Sequence, residues 1–311
     1  MRVVLVLSLL AASLAAVGDA RASEPLPDVN VRFGSLKVNA KGEALLTYTR
    51  ANGLVRRALV WGAVDAHAPD STRPQVRFRY DMAGGWGKYR RLVWKTFRNV
   101  CRPYDGPPLV HFVAGCKARD GSLWAVQAWV RRQPLLGFDP WLPEHTAVEL
   151  HLSHWTGPLA QLEVSTNWTY GAAFQGVFGR LTYAGAPVYG FGTTRDGNPR
   201  DRYVRNVYID TFNSAYGAGW RRESGIVTHR GTGTFCHSFV PQRPFPGYPS
   251  ADLRPPAPGE RYRVTVMGPG VTPVVEWEGR GLTPADRSRD PEFDAIFDRV
   301  MAGDRICAGE R

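Results

Sequence analysis

The sequence predicts an all-β protein whose body is a large antiparallel β-sandwich or jelly roll, followed by a short C-terminal helix. Glycine and proline, with 33 and 24 residues, interrupt the chain at short intervals. Between them, the segments alternate apolar and polar residues and are rich in Val, Tyr, Trp and Thr, which is typical of short strands. Residues 23–282 suffice for one large β domain or for two packed β subdomains, and the sequence leaves both open.

Residues 1–22 have the pattern of a secretory signal peptide. Arg2 precedes an apolar run over residues 3–17, and Ala20-Arg21-Ala22 supplies a small-x-small cleavage site. That run is too short to cross a bilayer, and no later segment reaches the roughly 20 apolar residues that a membrane helix needs. We therefore expect a secreted or cell-envelope protein without a transmembrane segment after cleavage. The alternative is that the leader is kept as an anchor.

Turn signals predict a series of hairpins. Asn52-Gly53 and Asp120-Gly121 accept the positive φ angles that a tight hairpin requires. Further hairpins are predicted around three other glycine-containing turns, at Gly157-Pro158, Ala184-Gly185 and Gly268-Pro269-Gly270. The C-terminal helix is predicted within residues 283–311, where Asp290 is a cap and apolar residues recur every three or four positions.

The segment VRFRYDMAGGWGKYRRLVWKTF, residues 76–97, predicts a hairpin with a glycine-rich tip. Its flanks alternate in the manner of strands. The glycines do not form a phosphate-binding loop, because Tyr89 follows Gly87-Lys88 where that motif needs Ser or Thr. Met82 also occupies the position of the motif's first glycine.

Trp86 lies between glycines in this tip and has few local neighbours to bury it. We expect it to be exposed and to stack on a sugar ring. The alternative is a Trp86 that folds back onto the sheet. Its basic and aromatic neighbours complete this candidate ligand-binding set: Lys88, Tyr89 and Arg90.

Four cysteines suit an exported protein with two disulfides, because the compartment outside the cytosol permits oxidation. Chain order predicts that Cys101 pairs with Cys116 and that Cys236 pairs with Cys307. No two cysteines have C-x-x-C spacing, so the sequence predicts no metal or redox motif.

The segment VELHLSHWTGPLAQLEVSTNW, residues 148–168, contains the candidate catalytic residues Glu149, His151 and Glu163. On a strand, Glu149 and His151 share one face. Pairing across Gly157-Pro158 would place Glu163 beside His151, and two carboxylates about 5–9.5 Å apart are the arrangement that glycosidases use. The alternative is the solvated polar face of an antiparallel sheet.

The spacing Glu149-x-His151-x-x-His154 is similar to the E-x-D-x-x-E strand of a large group of β-sandwich glycosidases. The resemblance covers six residues, and the two histidines stand where that strand has its aspartate and its second glutamate. No activity is therefore transferred to this chain. Strand geometry points His151 and His154 to opposite faces, so they do not predict a metal site. His154 is expected to be a core histidine with a backbone partner.

Charge and aromatic content point to a binding protein more than to an enzyme. The formal charge is +11, and its arginines are scattered rather than clustered, which argues against specific nucleic-acid binding and allows attraction to anionic polymers. The prediction is a secreted, non-catalytic binder of a carbohydrate or anionic envelope polymer, without a cofactor. The alternatives are a glycoside hydrolase using Glu149 and Glu163, and a passive envelope protein. Four further residues are candidate ligand contacts: Trp155, Asn167, Tyr216 and Trp220.

Overall fold

A computed structural model describes residues 24–64, 78–134, 144–170, 174–187, 207–214, 217–222, 228–229, 234–239, 259–266 and 273–281. The predicted signal peptide and C-terminal helix lie outside these residues. The strands, in chain order, are β1 (Glu24–Pro25), β2 (Arg32–Val38), β3 (Ala44–Thr49), β4 (Val55–Gly62), β5 (Phe78–Asp81), β6 (Arg102–Pro103), β7 (Phe112–Lys117), β8 (Leu123–Pro134), β9 (Glu144–Trp155), β10 (Gln161–Tyr170), β11 (Phe174–Tyr183), β12 (Ala186–Pro187), β13 (Val207–Ser214), β14 (Gly217–Arg222), β15 (Thr228–His229), β16 (Thr234–Ser238), β17 (Arg261–Val266) and β18 (Val275–Arg280).

The predicted all-β class is confirmed, because these strands form four antiparallel sheets. The first sheet has the order β2-β3-β4-β5, and the second has β1-β9-β8-β7-β6. The third is β14-β13-β17-β18, and the fourth is β10-β11-β16-β15 with β12 beside β11. Between β5 and β6 lie a short helix, α1 (Trp86–Tyr89), and a 3₁₀ turn (Val93–Lys95). Within the described residues, no helix is long and apolar enough to cross a membrane.

The first and second sheets pack face to face. Alternate residues of β3 and β4, such as Leu46 and Val60, meet Trp124 and Val126 of β8, and all four side chains are fully buried. This alternation follows from the two-residue period of a strand. Burial of side chains of this size stabilises by roughly 1.5–3 kcal/mol each.

The third and fourth sheets enclose a second apolar core. Ile209, Tyr262 and Val264 of the third sheet meet Leu181 and Phe235 of the fourth, and each is at most 1% exposed. Phe235 fits because Gly179 lies opposite it, where a Cβ atom would collide with the ring. The described residues therefore form two pairs of packed sheets, each with its own core.

The two pairs of sheets contact each other through polar groups. The Gln127 side-chain amide, on β8, donates to the Val274 carbonyl at 3.1 Å and accepts from the Val274 amide at 2.9 Å. His111 lies 3.4 Å from Glu276 of β18. Tyr208 of the third sheet, 1% exposed, belongs to the first core cluster. These contacts bury polar groups with their partners, as a buried polar layer requires.

Four predicted hairpins are confirmed as strand pairs. β3 pairs with β4 around Asn52-Gly53, and β7 pairs with β8 around Asp120-Gly121. β11 pairs with β12 through the two-residue turn Ala184-Gly185, whose φ angles are both positive. β17 pairs with β18, and the turn Gly268-Pro269-Gly270 lies outside the described residues.

The hairpin predicted around Gly157-Pro158 is wrong. β9 already has a partner along both edges: β8 pairs with it over its whole length, and β1 pairs with it on the other side. β10 instead continues into the fourth sheet, where it pairs with β11. The turn connects two sheets rather than two neighbouring strands.

Candidate ligand-binding surface

The glycine-rich segment folds onto the first sheet and does not form the predicted hairpin. β5 pairs with β4, and after it the chain turns into α1. The Asp81 carboxylate fixes this turn, because it accepts the backbone N–H of Ala83 at 3.0 Å and that of Lys88 at 2.9 Å. An aspartate that binds backbone N–H groups after it is a known turn former. The segment therefore ends the strand instead of returning along it.

Two glycines make this turn possible. Gly84 and Gly85 have φ angles of +66° and +104°, which side chains other than glycine rarely adopt. A Cβ atom on Gly84 would lie 2.7 Å from the Trp94 ring, and one on Gly85 would collide with the side chain of Val93. The close contact holds the 3₁₀ turn and α1 together.

Glu43, at the start of β3, anchors α1 to the first sheet. Its carboxylate is 5% exposed, lies 2.6 Å from the Lys88 ammonium and accepts the Tyr89 hydroxyl and the Asn39 amide. Burial alone would raise the pKa of Glu43, but these hydrogen bonds, above all that from Lys88, outweigh burial and leave its pKa below the ordinary value. Glu43 thus holds Lys88 and Tyr89, two of the predicted ligand-binding residues, against the first sheet.

Cations stack on the aromatic rings around α1. The Lys88 ammonium lies 3.9 Å from the centre of the Trp61 ring, and the Arg57 guanidinium lies 4.2 Å from that of Trp94. These distances are those of cation–π contacts. Three more cations stand within 6.0 Å of the rings of Tyr89 or Trp94: Lys41, Arg91 and Lys95. We call these aromatic and cationic residues, together with Trp86 and Arg90, the α1 surface. Its members are Lys41, Arg57, Trp61, Trp86, Lys88, Tyr89, Arg90, Arg91, Trp94 and Lys95.

Trp86 is the most exposed aromatic side chain of the α1 surface. It is 53% exposed, and no part of α1 is buried. The prediction that Trp86 is exposed is confirmed, and the alternative of a ring folded onto the sheet is not. Lys88, Tyr89 and Arg90 follow Trp86 in the sequence, and their role in ligand binding stays a prediction. Sequence reasoning missed Glu43, Trp61 and Trp94, which join the surface only through tertiary folding.

The predicted catalytic constellation is not assembled in the described structure. Glu149 and His151 do lie together, with His151 Nε2 3.5 Å from a Glu149 oxygen. Glu163, however, is exposed on β10 in the fourth sheet, where its cross-strand neighbour is Arg180. Both Glu149 and His151 are at most 1% exposed, so the expectation of a solvated polar face is also wrong.

Trp155 and His154 are structural residues. Trp155 is fully buried against Leu123 and Ala125, which corrects its assignment as a ligand contact. His154 is 4% exposed and stacks on Trp124, with ring centres 3.9 Å apart. Its Nδ1 lies 3.2 Å from the Gly62 carbonyl, and so the predicted core histidine with a backbone partner is confirmed.

The remaining predicted residues are distributed over other parts of the chain. Cys101 and Cys116 form a disulfide, which confirms the first pair. Cys236 is also disulfide-bonded, and Cys307 lies outside the described residues, so the second pair stays a prediction. Three ligand candidates remain: the Asn167 side chain and Tyr216 also lie outside, whereas Trp220 is on β14 of the third sheet.

Comparisons with known proteins leave the fold and the α1 surface as the basis for function. No protein-family model, no curated protein and no solved structure matches the chain. In the part of the chain that the structure describes, no group of three or more His, Cys, Asp or Glu side chains is arranged to hold a metal ion. Function is therefore argued from the chemistry of the surface itself.

Proposed function

We propose that this is an exported, non-catalytic protein that binds an acidic polysaccharide of the cell envelope through the α1 surface. The observation that carries the proposal is the exposed Trp86 on a helix fixed by Glu43 and Asp81, in a segment whose lysines and arginines stack on Trp61, Tyr89 and Trp94. An exposed aromatic ring offers an apolar face to a sugar ring. Lysine and arginine attract and bind its acidic groups.

The fixed geometry of the α1 surface favours specific binding over non-specific electrostatic attraction. Lys88, Tyr89 and Arg57 are each held by a named partner, so little side-chain freedom is lost when a ligand binds. The acids of the surface are engaged in the same way: Glu43 by Lys88, and Asp81 by backbone N–H groups. Backbone N–H groups do not cancel the charge of Asp81, but the lysine and arginine side chains of the surface outnumber its two acids. Its net charge is therefore positive, which matches an anionic polymer.

The hydrolase alternative has weaker support, because Glu149 and His151 are buried and Glu163 lies in another sheet. Catalysis would need a second carboxylate within reach of the same bond. The passive alternative, attraction by net charge alone, differs from specific binding in a measurable way. It would depend on salt but not on the sugar or on Trp86.

The test is retention of the full chain on immobilised polygalacturonate, a carboxylated polysaccharide, compared with neutral dextran. We expect Trp86→Ala to weaken binding at least tenfold, which corresponds to about 1.4 kcal/mol, and to leave the melting temperature unchanged. The matched control is Leu54→Ala, since Leu54 is 61% exposed at the opposite end of the β3–β4 hairpin. Equal binding by both variants, with the same salt dependence, would support the passive alternative and reject the proposal.

A further inference from the structure

A row of aromatic and arginine residues, separate from the α1 surface, crosses the third sheet. Trp220 of β14 is the cross-strand neighbour of Phe212 of β13, and Phe212 is that of Arg261 of β17. Arg261 in turn lies opposite Arg280 of β18. Adjacent strands are about 4.8 Å apart, so the row extends over roughly 14 Å. It is long enough to contact several sugars of one chain.

The row lies at the open end of a face whose other end is covered. At the covered end, Tyr208 and its neighbour Thr265 are each 1% exposed. Further along the same face, Phe212 and Trp220 are partly exposed and Arg280 is exposed. The strand period keeps these side chains on one face. The aromatic rings therefore reach solvent where the sheet extends beyond its cover.

Arginine side chains stack on the rings of this row. The Arg261 guanidinium lies 4.3 Å from the centre of the Phe212 ring and 5.3 Å from that of Trp220. Arg263 lies 4.1 Å from the Trp220 ring on the covered side. A guanidinium stacked on a ring keeps its planar fork of N–H donors available, and that fork matches a carboxylate.

Three acids near the row have partners outside it. Glu278 binds Arg263 at 2.9 Å, Glu276 lies 3.4 Å from His111, and Glu260 accepts from an Asn213 amide at 3.2 Å. Among the described residues, no acid forms an ion pair with Arg261 or Arg280. Two like charges directly opposite on a sheet are destabilising, and an anion bound between them would relieve that repulsion.

We propose that the row Trp220–Phe212–Arg261–Arg280 is a second site for a carboxylated polysaccharide. The sugar chain packs against the solvent-exposed parts of Trp220 and Phe212 that the stacked guanidinium groups leave open, and a carboxylate binds between Arg261 and Arg280. The polymer class rests on the proposed function, whereas the site stands on its own geometry. With one site on each pair of sheets, a long polymer binds at both, and the second contact gains from a high effective concentration.

The experiment compares short oligogalacturonate with long polygalacturonate by calorimetry on the full chain. Four proteins are measured: wild type, Arg261→Gln/Arg280→Gln, Trp86→Ala and the control Arg119→Gln, an exposed turn arginine of the second sheet. We expect the double variant to bind the oligomer at one site fewer than wild type and to bind the long polymer at least tenfold more weakly. It should keep the melting temperature of wild type, because neither arginine is buried.

The outcomes separate the two sites. Wild-type binding by the double variant, for both oligomer and polymer, would overturn the second site and leave the α1 surface untouched. If instead Trp86→Ala binds as wild type while the double variant loses all binding, the proposed function of the α1 surface fails and the second site stands.

Discussion

Glu43 is the residue that joins the first sheet to the α1 surface, because it holds both Lys88 and Tyr89. The pKa of Glu43 is lowered because its hydrogen bonds, above all that from Lys88, together outweigh the effect of burial, which raises the pKa. The sequence gives no local signal of this role. Glu43 and Lys88 are 45 positions apart, and only the packing of α1 on β3 brings them together.

We predict that Glu43→Gln lowers the free energy of unfolding by about 2 kcal/mol at neutral pH, the scale of hydrogen bonds to a charged group. A carboxyl with a lowered folded-state pKa stabilises above its ordinary value of 4.5, and this contribution is lost as the pH falls through the folded-state pKa. The difference between variant and wild type should therefore shrink in urea titrations as the pH is lowered below 4.5. A difference that does not shrink on acidification, or one matched by the exposed control Glu260→Gln, would contradict this role.

At the scale of elements, local signals predicted turns well and strand partners less well. Asn52-Gly53 and Asp120-Gly121 each lie in a short loop that connects two paired strands of one sheet, and the glycine supplies the positive φ angle that such a hairpin loop needs. Gly157-Pro158 also lies in a bend, but β9 already pairs with the preceding strand, β8, along its whole length and with β1 at His151 and Leu152. The same limit applies to the glycine-rich segment, whose alternating flanks look like strands but whose second half packs on the outer face of the first sheet.

We predict that Gly85→Ala destabilises the protein by more than Gly53→Ala does. Both glycines have positive φ angles, +104° and +82°, and strain of this kind costs about 1–3 kcal/mol. A Cβ on Gly53 meets nothing within 4 Å, whereas one on Gly85 collides with Val93. Thermal unfolding of the two variants isolates the contribution of the collision. Equal losses would mean that the packing of α1 against Val93 does not hold the surface in place.

At the scale of the whole molecule, composition predicted the all-β class, and alternation predicted which strands have a buried face. It did not predict that the polar face of β9 is buried as well. Glu149 and His151 look like surface residues in a sequence, yet the second pair of sheets packs near them, and Gln127 on the neighbouring strand binds Val274. Gln127 and Val274 are 147 positions apart, so the periodicity of the sequence does not predict their contact.

The sequence likewise predicted only some residues of the candidate site. Trp86 was predictable, because a tryptophan among glycines has no local cover. Trp61 and Trp94 were not, since each belongs to a segment that reads as an ordinary strand and joins the surface through a cation from elsewhere: Lys88 for Trp61 and Arg57 for Trp94. A binding surface built from several segments is defined by the fold and only partly by any one motif.

The central claim is that the α1 surface contacts the polymer, and oxidative footprinting with mass spectrometry tests it most directly. The full chain is oxidised alone and with saturating polygalacturonate. We predict that oxidation of Trp86 falls several-fold with the polymer, while two exposed apolar residues away from the surface, Leu54 and Phe112 at 61% and 44% exposure, react as before. Bound polymer with unchanged oxidation of Trp86 would contradict the claim.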